Sequence, residues 1–554
     1  MTIFKTFIVL VISTIVLSFG YDWGVPNQER SSVLFSDKKE HNDMVGLLAN
    51  SYIAHKEKTK NKIYIDNYID YVKSMDYDES IRMSLARFLM VPYSADDAFV
   101  LKAVKNLNPY KYDFDPNYYV YGGGLIYASA LALKVAETVG YIKLIPDISF
   151  YLKNPEMAGR LYLVLRLLVL IFSVIGVGII YIYVAKNHGQ WPAIITTFLV
   201  LVNPESIASS HAIEPHMYVL PFFALSLYYA YKYHKSEASS RDYILAAIFA
   251  GLSIGTQASS MYIVVPIVIT ILLALYNSDK LYRLRLVREF LIYFTLVVVT
   301  VILINPYYVL NVDGFLQDLN VGAAHQLNVS IVPRHFWAHY QISIFLLTLF
   351  IVAIPYNLML LRNRDTLFYL GITIPAIIVY ILSGNIMQYI YPSLMVFSII
   401  SSFMLIDLYR RIHKPFQKYF VIIVTALIIL SPGLRSYYYL INYKYDNRIY
   451  AGEWINENIP IGSNIGVTFP PTNYDSVPFS FHKYNLIDVS SILNSSVIPE
   501  YVMLVNLDIN DNIKGNYKLV KIFKPKSILG YRPTLGGEVA AIYAKTIRVY
   551  KRTI

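Results

Sequence analysis

Asp96 and Asp97, two adjacent carboxylates, are the residues of this 554-residue chain whose types best suit acid–base chemistry. They follow one isolated apolar segment and precede most of the hydrophobic sequence, which predicts a position at a water–lipid boundary. A carboxylate there can take a proton from an attacking hydroxyl, a contribution typically worth about 10²–10⁴-fold in rate. Because neighbouring helical residues point ~100° apart, only one of the two can face a reaction. The alternative is that Ser94 and the acids cap a helix.

A second polar cluster contains His211, Glu214 and His216. Two histidines and a glutamate within six residues could contact a phosphate, orient a sugar or bind a divalent metal. The spacing matches no zinc signature, so the metal stays open, with Mg or Mn as the possible ions and Asp97 as a further candidate ligand. The alternative is a polar turn that caps two helices.

Single cations in apolar surroundings form the third group of candidates. Arg334 is the one basic residue of the short outer loops, in a segment that also contains His325. It could pair with a lipid phosphate, or anchor the interface beside Trp337. Arg166 lies within an apolar run, where a charge costs roughly 2.5–3.5 kcal/mol, and it is therefore expected to pair with an acid of the outer loop.

The composition indicates the elements that must position these residues. Hydrophobic residues make up 56% of the chain and charged residues 15%, against about 25% in soluble domains. Apolar segments long enough to cross ~30 Å of hydrocarbon predict eleven membrane helices, near residues 4–20, 160–184, 191–208, 217–233, 242–258, 261–277, 289–306, 341–361, 367–384, 391–409 and 418–435.

The net charge of +11 follows this topology. Fourteen Lys and Arg residues fall in or beside alternate gaps between the predicted spans, whereas the intervening short gaps contain only Arg334. By the positive-inside rule, the basic gaps and the N-terminus face the cytoplasm and the C-terminal part lies outside. The positive charge is therefore a topology signal, and we expect no nucleic-acid partner. The prediction is a multi-pass protein of the cell membrane.

Four regions follow from this topology: a first transmembrane helix at 1–20, an outer loop with juxtamembrane helices at 21–159, a helix bundle at 160–435 and an outer α/β domain at 436–554. The apolar run 125–142 would invert every later loop if it crossed the membrane. We therefore predict that it lies in the outer interface or is re-entrant. The C-terminal strands are predicted at 465–469, 501–506, 518–522 and 540–550.

Residues 96–127 resemble the first outer loop of the GT-C glycosyltransferases, the superfamily of protein O-mannosyltransferases and the lipid A aminoarabinose transferase. The resemblance closely matches a prokaryotic mannosyltransferase-like branch and rests on the following segments: Trp23–Arg30, Asp96–Leu101, Asn108-Pro109, Asp113–Pro116 and Tyr121–Gly123.

The resemblance implies transfer of a mannose-like sugar from a polyprenyl-phosphate donor to an acceptor protein, lipid or glycan at the outer face. The first acid, Asp96, would be the general base, although Asp97 replaces the family's usual Glu. The resemblance also implies a substrate or phosphate-binding role for Tyr121, Arg166, His211, Glu214, His216, His325 and Arg334.

Two other function classes remain as alternatives. A transporter or flippase of lipid-linked glycans would need ionisable groups near the middle of the membrane, but the predicted spans contain almost none apart from Arg166. A non-catalytic membrane scaffold predicts that replacing Asp96 with Asn changes nothing.

Overall fold

A computed structural model describes residues 2–58, 76–236, 240–276, 280–327, 344–360, 364–382, 391–474, 476–489, 498–507, 516–528 and 545–553. The chain is mostly helical and carries a small C-terminal sheet, which confirms the predicted fold class. It divides into two compact units. The bundle unit comprises Met1–Tyr21, Lys102–Leu131 and Arg166–Tyr437, and the sheet unit comprises Asp22–Leu101, Ala132–Leu165 and Tyr438–Ile554.

Five described helices are long and apolar enough to cross a membrane: Pro155–His188, Ala258–Leu275, Tyr282–Ile304, Tyr391–Arg411 and Pro415–Asn458. A sixth candidate is the pair Gln190–Leu201 and Pro204–Ser210, which bends by 62°. The bend falls at Asn203-Pro204, because proline disfavours a helical conformation at the residue before it. Asn203 then caps the second helix by accepting a hydrogen bond from the Glu205 amide at 3.0 Å. The predicted count of eleven spans stays a prediction.

The other described helices complete the predicted pattern. In the bundle unit, or beginning there, they are Thr2–Ser18, Gly123–Thr138, Pro215–Tyr218, Leu220–Ser236, Ser240–Thr256, Tyr307–Leu310, Val312–Leu327, Ile344–Leu360 and Arg364–Leu382. Two of the membrane-length helices above have the α-helical bounds Val265–Tyr276 and Lys280–Ile304. In the sheet unit, or beginning there, they are Gln28–Leu34, Lys38–Lys58, Tyr77–Met90, Ala95–Asn106, Ile148–Lys153 and Asn447–Asn458. Pro415–Lys444 runs as one helix before the last of these.

Hydrogen bonds group the helix ends of the bundle unit as the predicted alternation requires. At one end, Lys232 contacts Asp242 at 2.9 Å and Lys235 contacts Asp365 at 2.7 Å. These bonds join the ends of three helices, which belong to two gaps that the sequence assigns to the same side. At the other end, the Gly122 amide donates to the Thr256 carbonyl at 3.2 Å. The grouping agrees with the predicted topology, while the side that faces the cytoplasm stays a prediction.

Three consecutive glycines allow the chain to pack against two helix ends in the bundle unit. A Cβ on Gly122 would lie 1.8 Å from the Gly255 carbonyl oxygen, and one on Gly123 would lie 2.0 Å from the Ile304 carbonyl oxygen. Only glycine permits such an approach between backbones. The contact fixes the start of the helix Gly123–Thr138, which confirms a helix in the predicted run at 125–142 but does not test whether it crosses.

The sheet of the sheet unit has five strands, β1 (Asn464–Val467), β2 (Asn485–Asp488), β3 (Tyr501–Val505), β4 (Tyr517–Phe523) and β5 (Ile547–Arg552). Their order is β2-β1-β3-β5-β4, with β1 parallel to β2 and β3 and with β5 antiparallel to β3 and β4. The strand predictions near β1, β3 and β4 are accurate to within two residues at each end. The first five residues of the predicted strand 540–550 fall outside the described residues, and its last four lie in β5. Strand β2 was not predicted.

Candidate active site

The acidic pair begins a helix, as predicted. Asp96 and Asp97 lie in the first turn of Ala95–Asn106, where the helix dipole favours negative charge. The Asp97 side chain is fully buried, whereas Asp96 is half-buried. The difference follows from their ~100° separation around the helix axis. Asp96 is thus the more accessible carboxylate of the two, and its role as the base stays a prediction.

The segment Trp23–Arg30, noted in the sequence only for its resemblance, has a clear structural role in the sheet unit. Asn27 caps the helix Gln28–Leu34 by accepting from the Arg30 amide at 2.8 Å. The Arg30 side chain is buried, and its NH1 nitrogen donates to the carbonyl oxygens of Phe88 at 3.0 Å and Val91 at 2.9 Å. These carbonyls belong to the C-terminal end of Tyr77–Met90, which intrahelical bonds leave unpaired. Arg30 therefore caps the C-terminal end of the helix Tyr77–Met90, which precedes the acidic pair.

The same guanidinium reaches two more carbonyls, and a second arginine completes the arrangement. The NH2 nitrogen of Arg30 donates to Gly24 at 2.5 Å and Val25 at 3.2 Å. The Tyr93 ring lies between Arg30, whose guanidinium carbon is 3.9 Å from the ring centroid, and Arg448, at 3.4 Å. Two cations on one ring make a strong pair of cation–π contacts when buried.

Asp446 balances the second arginine. It accepts from Arg448 through both carboxylate oxygens at 2.6–3.0 Å. The Tyr93 amide also donates to the Gly24 carbonyl at 2.9 Å. Tyr93, three residues before Asp96, is therefore held through both its ring and its backbone. We call the arrangement of Arg30, Tyr93, Arg448 and Asp446 the arginine clamp.

The predicted histidine turn lies in the bundle unit, and its two histidines differ. His211 is buried with both ring nitrogens beside carbonyl oxygens, Nδ1 at 2.7 Å from Ile207 and Nε2 at 2.8 Å from Phe19. Carbonyls only accept hydrogen bonds, so this geometry favours N–H donation by His211 over metal ligation through a ring lone pair. His216 is also buried, and its Nε2 lies 3.5 Å from the Glu214 carboxylate. Burial lowers the pKa of His216 to about 4, so its ring is neutral near pH 7.

Glu205 lies on the helix just before this turn, and the sequence prediction did not include it among the candidate residues. Its side chain is 2% exposed, and within the part of the chain that the structure describes its Oε2 has no hydrogen-bond partner. On the same helix, Ser206 accepts a hydrogen bond from the buried Tyr391 hydroxyl. A buried carboxylate of this kind needs a compensating partner. The sequence feature that could have indicated Glu205 is its position as an acidic residue at the end of an apolar run.

Two segments of the bundle unit that the sequence predicts to lie on the outer side are joined by a second polar network. Asp115 accepts from the Tyr119 hydroxyl at 2.7 Å and from the Asn311 amide group at 2.8 Å. Asp318 accepts from the Tyr119 backbone amide at 2.7 Å. Burial raises the pKa of Asp318. The predicted candidate Tyr121 follows this loop, half-buried.

The remaining predicted residues are located as follows. Arg166 is fully buried in the bundle unit and donates to the Tyr21 carbonyl at 3.0 Å, while its predicted pairing with an outer-loop acid stays a prediction. Arg334 and the side chain of His325 lie outside the described residues. Within the described ranges, no group of three or more His, Asp or Glu residues could hold a metal ion. The proposed metal therefore stays a prediction.

Comparison with known proteins adds one family and a set of structures. A sequence model of the dolichyl-phosphate-mannose-protein mannosyltransferase family matches residues 156–310. No curated protein matches the chain significantly. ArnT from Cupriavidus metallidurans, solved bound to undecaprenyl phosphate, is similar with a TM-score of 0.45 and 11% identity, covering 84% of this chain and 95% of that one.

Another similar structure is the oligosaccharyltransferase AglB from Archaeoglobus fulgidus, solved with an inhibitory peptide and a dolichol-phosphate. It has a TM-score of 0.42 and 11% identity, covering 84% of this chain and 87% of that one. Residues 156–310 are thus similar to a family of membrane mannosyltransferases, and the described part of the chain contains helices long and apolar enough to cross a membrane.

Proposed function

We propose that this protein transfers a mannose-like sugar from a polyprenyl-phosphate donor to an acceptor on the outer face of the membrane. The observation that carries the proposal is the match of residues 156–310 to a family named for a dolichyl-phosphate-mannose donor and a protein acceptor. The acceptor is a protein, a lipid or a glycan that presents a nucleophile.

The proposed step is a displacement at the anomeric carbon of the sugar. The acceptor hydroxyl forms the new C1–O bond while the C1–O bond to phosphate breaks, and polyprenyl phosphate leaves with that electron pair. Asp96 takes the hydroxyl proton. Its half-buried position at the start of a helix supports this role, because the carboxylate is accessible and the arginine clamp holds Tyr93, three residues before it. The leaving phosphate needs stabilising donors rather than an acid.

We assign recognition of the donor to the bundle unit. His211 and His216, with Glu214, would contact the phosphate or the sugar, and a neutral His216 can donate or accept a hydrogen bond. Arg334, His325, Arg166 and Tyr121 keep the binding roles that the resemblance implies. The apolar helices would hold the prenyl chain, with the N-terminus in the cytoplasm and the sheet unit outside.

The test is sugar transfer in membranes from a radiolabelled polyprenyl-phosphate sugar, with Asp96→Asn and Asp97→Asn at equal expression. A matched control is Asp147→Asn, because Asp147 caps the helix Ile148–Lys153 by accepting from the Ser149 amide at 2.9 Å, and Asn caps equally well. We expect transfer to fall by about 10²-fold or more in Asp96→Asn and to be unchanged in the control.

Other outcomes have defined meanings. Loss of transfer in Asp97→Asn alone would move the base by one residue. Full transfer in both variants would make the pair a helix cap and contradict the proposed base. If the wild type uses no polyprenyl-phosphate sugar in a panel that includes mannose, the donor class is wrong.

A further inference from the structure

The helix Val312–Leu327 has three distinct faces. One face packs within the bundle unit, where Phe315 stacks on Tyr308 with ring centroids 4.3 Å apart and Asp318 accepts from the Tyr119 amide. A second face is a stripe of exposed apolar residues at the i, i+4, i+7 spacing: Val312, Leu316 and Leu319. The third carries exposed polar residues at the same spacing, Asp313, Gln317 and Asn320. We call the second face the apolar stripe.

The apolar stripe is open to the surroundings over about half of each side chain. Val312 is 45% exposed, Leu316 48% and Leu319 51%. Helical spacing makes this one continuous surface rather than scattered residues, because side chains four and seven positions apart share a face. A polar face directly beside it is the pattern of a helix that lies flat at a membrane surface.

The chain that leads into this helix indicates what covers the stripe. Only 22% of the most apolar stretch of Tyr282–Ile304 is buried within the protein, so this membrane-length helix faces lipid over most of its surface. Leu303 at its end is 73% exposed, and after the turn at Asn305-Pro306 the apolar surface continues with Val309 at 55% and Leu310 at 72%. The apolar stripe begins two residues later, at Val312, and can therefore contact the same lipid.

We propose that the helix Val312–Leu327 lies in the membrane interface, with the apolar stripe at the acyl-chain boundary and the polar face towards the headgroups. The occupant of the stripe is the lipid bilayer. Asp318 and Asn311, on this segment, bind the loop at Tyr119 and Asp115, so contact with the bilayer also positions that loop. The inference does not depend on which reaction the protein catalyses.

The natural chain contains no cysteine, so single cysteines can be labelled in the full-length protein. Leu316→Cys and Gln317→Cys sample adjacent faces of the helix, and Leu303→Cys is a lipid-facing reference. Each is labelled with bimane and reconstituted in phosphatidylcholine vesicles. Emission is then quenched either by lipid spin-labelled near the headgroup end of the acyl chain or by aqueous iodide. A second pair, Leu319→Cys and Asn320→Cys, replaces the first if either variant is not monodisperse.

We expect spin-labelled lipid to quench the Leu316 label at least about two-fold more than the Gln317 label, and iodide to show the reverse order. The Leu303 label should follow the Leu316 label. Equal iodide quenching at residues 316 and 317 would place the helix in water and overturn the inference. Protection of the Leu316 label from both quenchers would mean that protein covers the stripe, which also overturns it.

Discussion

The arginine clamp makes a quantitative prediction about the backbone that leads to the acidic pair. Arg30→Lys keeps the positive charge but replaces a planar, five-donor fork with a compact ammonium that has three donors. The guanidinium donates to four carbonyl oxygens, those of Gly24, Val25, Phe88 and Val91, and lies against Tyr93. An ammonium at the same place cannot reach all four carbonyls or stack flat on the ring.

The expected cost follows from the contacts that are lost. A hydrogen bond to a charged group contributes about 1.5–3 kcal/mol, and a buried acceptor left unpaired costs about 1–3 kcal/mol. If lysine keeps two of the four contacts and the backbone relaxes around it, the net loss is about 2–3 kcal/mol. With tenfold for every 1.4 kcal/mol, local opening of this region becomes roughly 30- to 150-fold more frequent.

Amide hydrogen exchange measures that opening directly. The amide of Tyr93 donates to the Gly24 carbonyl at 2.9 Å, so its exchange reports on the clamp. The assay is exchange followed by mass spectrometry of peptides that cover residues 88–101, in wild type and in Arg30→Lys. Arg82→Lys is the matched control, since Arg82 lies on the same helix, Tyr77–Met90, and donates one hydrogen bond to the Ser51 hydroxyl at 3.0 Å.

Exchange in the control should change by less than about tenfold, because a lysine ammonium can still donate the single hydrogen bond to the Ser51 hydroxyl. An unchanged rate at Tyr93 in Arg30→Lys would refute the idea that the guanidinium holds this backbone. Equal acceleration in both variants would show that the helix is generally weakened and that the clamp has no special part in it.

Three further outcomes are expected. Gly123→Ala would place a Cβ 2.0 Å from the Ile304 carbonyl oxygen, and the resulting overpacking should cost about 1–3 kcal/mol, measured as a lower midpoint of thermal unfolding. Hydrogen bonds from His482 and Lys483 lower the pKa of Glu40 from 4.5 to about 2. Their contribution to the stability of the folded protein is therefore complete above pH 4.5 and is lost as the pH falls towards 2. Glu40→Gln should remove this pH dependence from acid unfolding curves. Burial lowers the pKa of His216 from 6.5 to about 4. Between these pH values the unfolded chain binds a proton that the folded protein does not, so the free energy of unfolding falls as the pH drops from 6.5 to 4. His216→Gln should make the free energy of unfolding less dependent on pH over this range.

The elements of this fold follow closely from the sequence where one physical signal dominates. Apolar length and the distribution of basic residues predict the membrane helices, and the bonds of Lys232 and Lys235 join the gaps that were assigned to one side. The acidic pair was treated as part of a helix, and the structure has it in the first turn of Ala95–Asn106. Helices can be predicted in this way because period, length and charge are local properties of the chain, whereas the number of spans and their orientation stay predictions.

The arginine clamp could not be predicted in the same way. Arg30 and Arg448 are 418 positions apart, and no local pattern indicates that they share the ring of Tyr93. Strand β2 was missed for a similar reason. It is four residues long with only one fully buried side chain, Leu486, so an alternating pattern had too few positions to show itself.

Both units hold their predicted functional segments by side chains that bind backbone groups. Arg30 binds four carbonyls before the acidic pair, Asn305 accepts from the Gly123 amide at 2.6 Å and donates to the Gly255 carbonyl at 2.9 Å, and Asp318 accepts from the Tyr119 amide. A hydrogen bond to a backbone group can form whatever side chain that residue carries. Replacing Arg30, Asn305 or Asp318 leaves buried backbone groups unpaired. Replacing a residue whose backbone they bind keeps the hydrogen bond, if the new side chain fits. The geometry near the predicted site therefore depends more on Arg30, Asn305 and Asp318 than on most residues of the segments they hold.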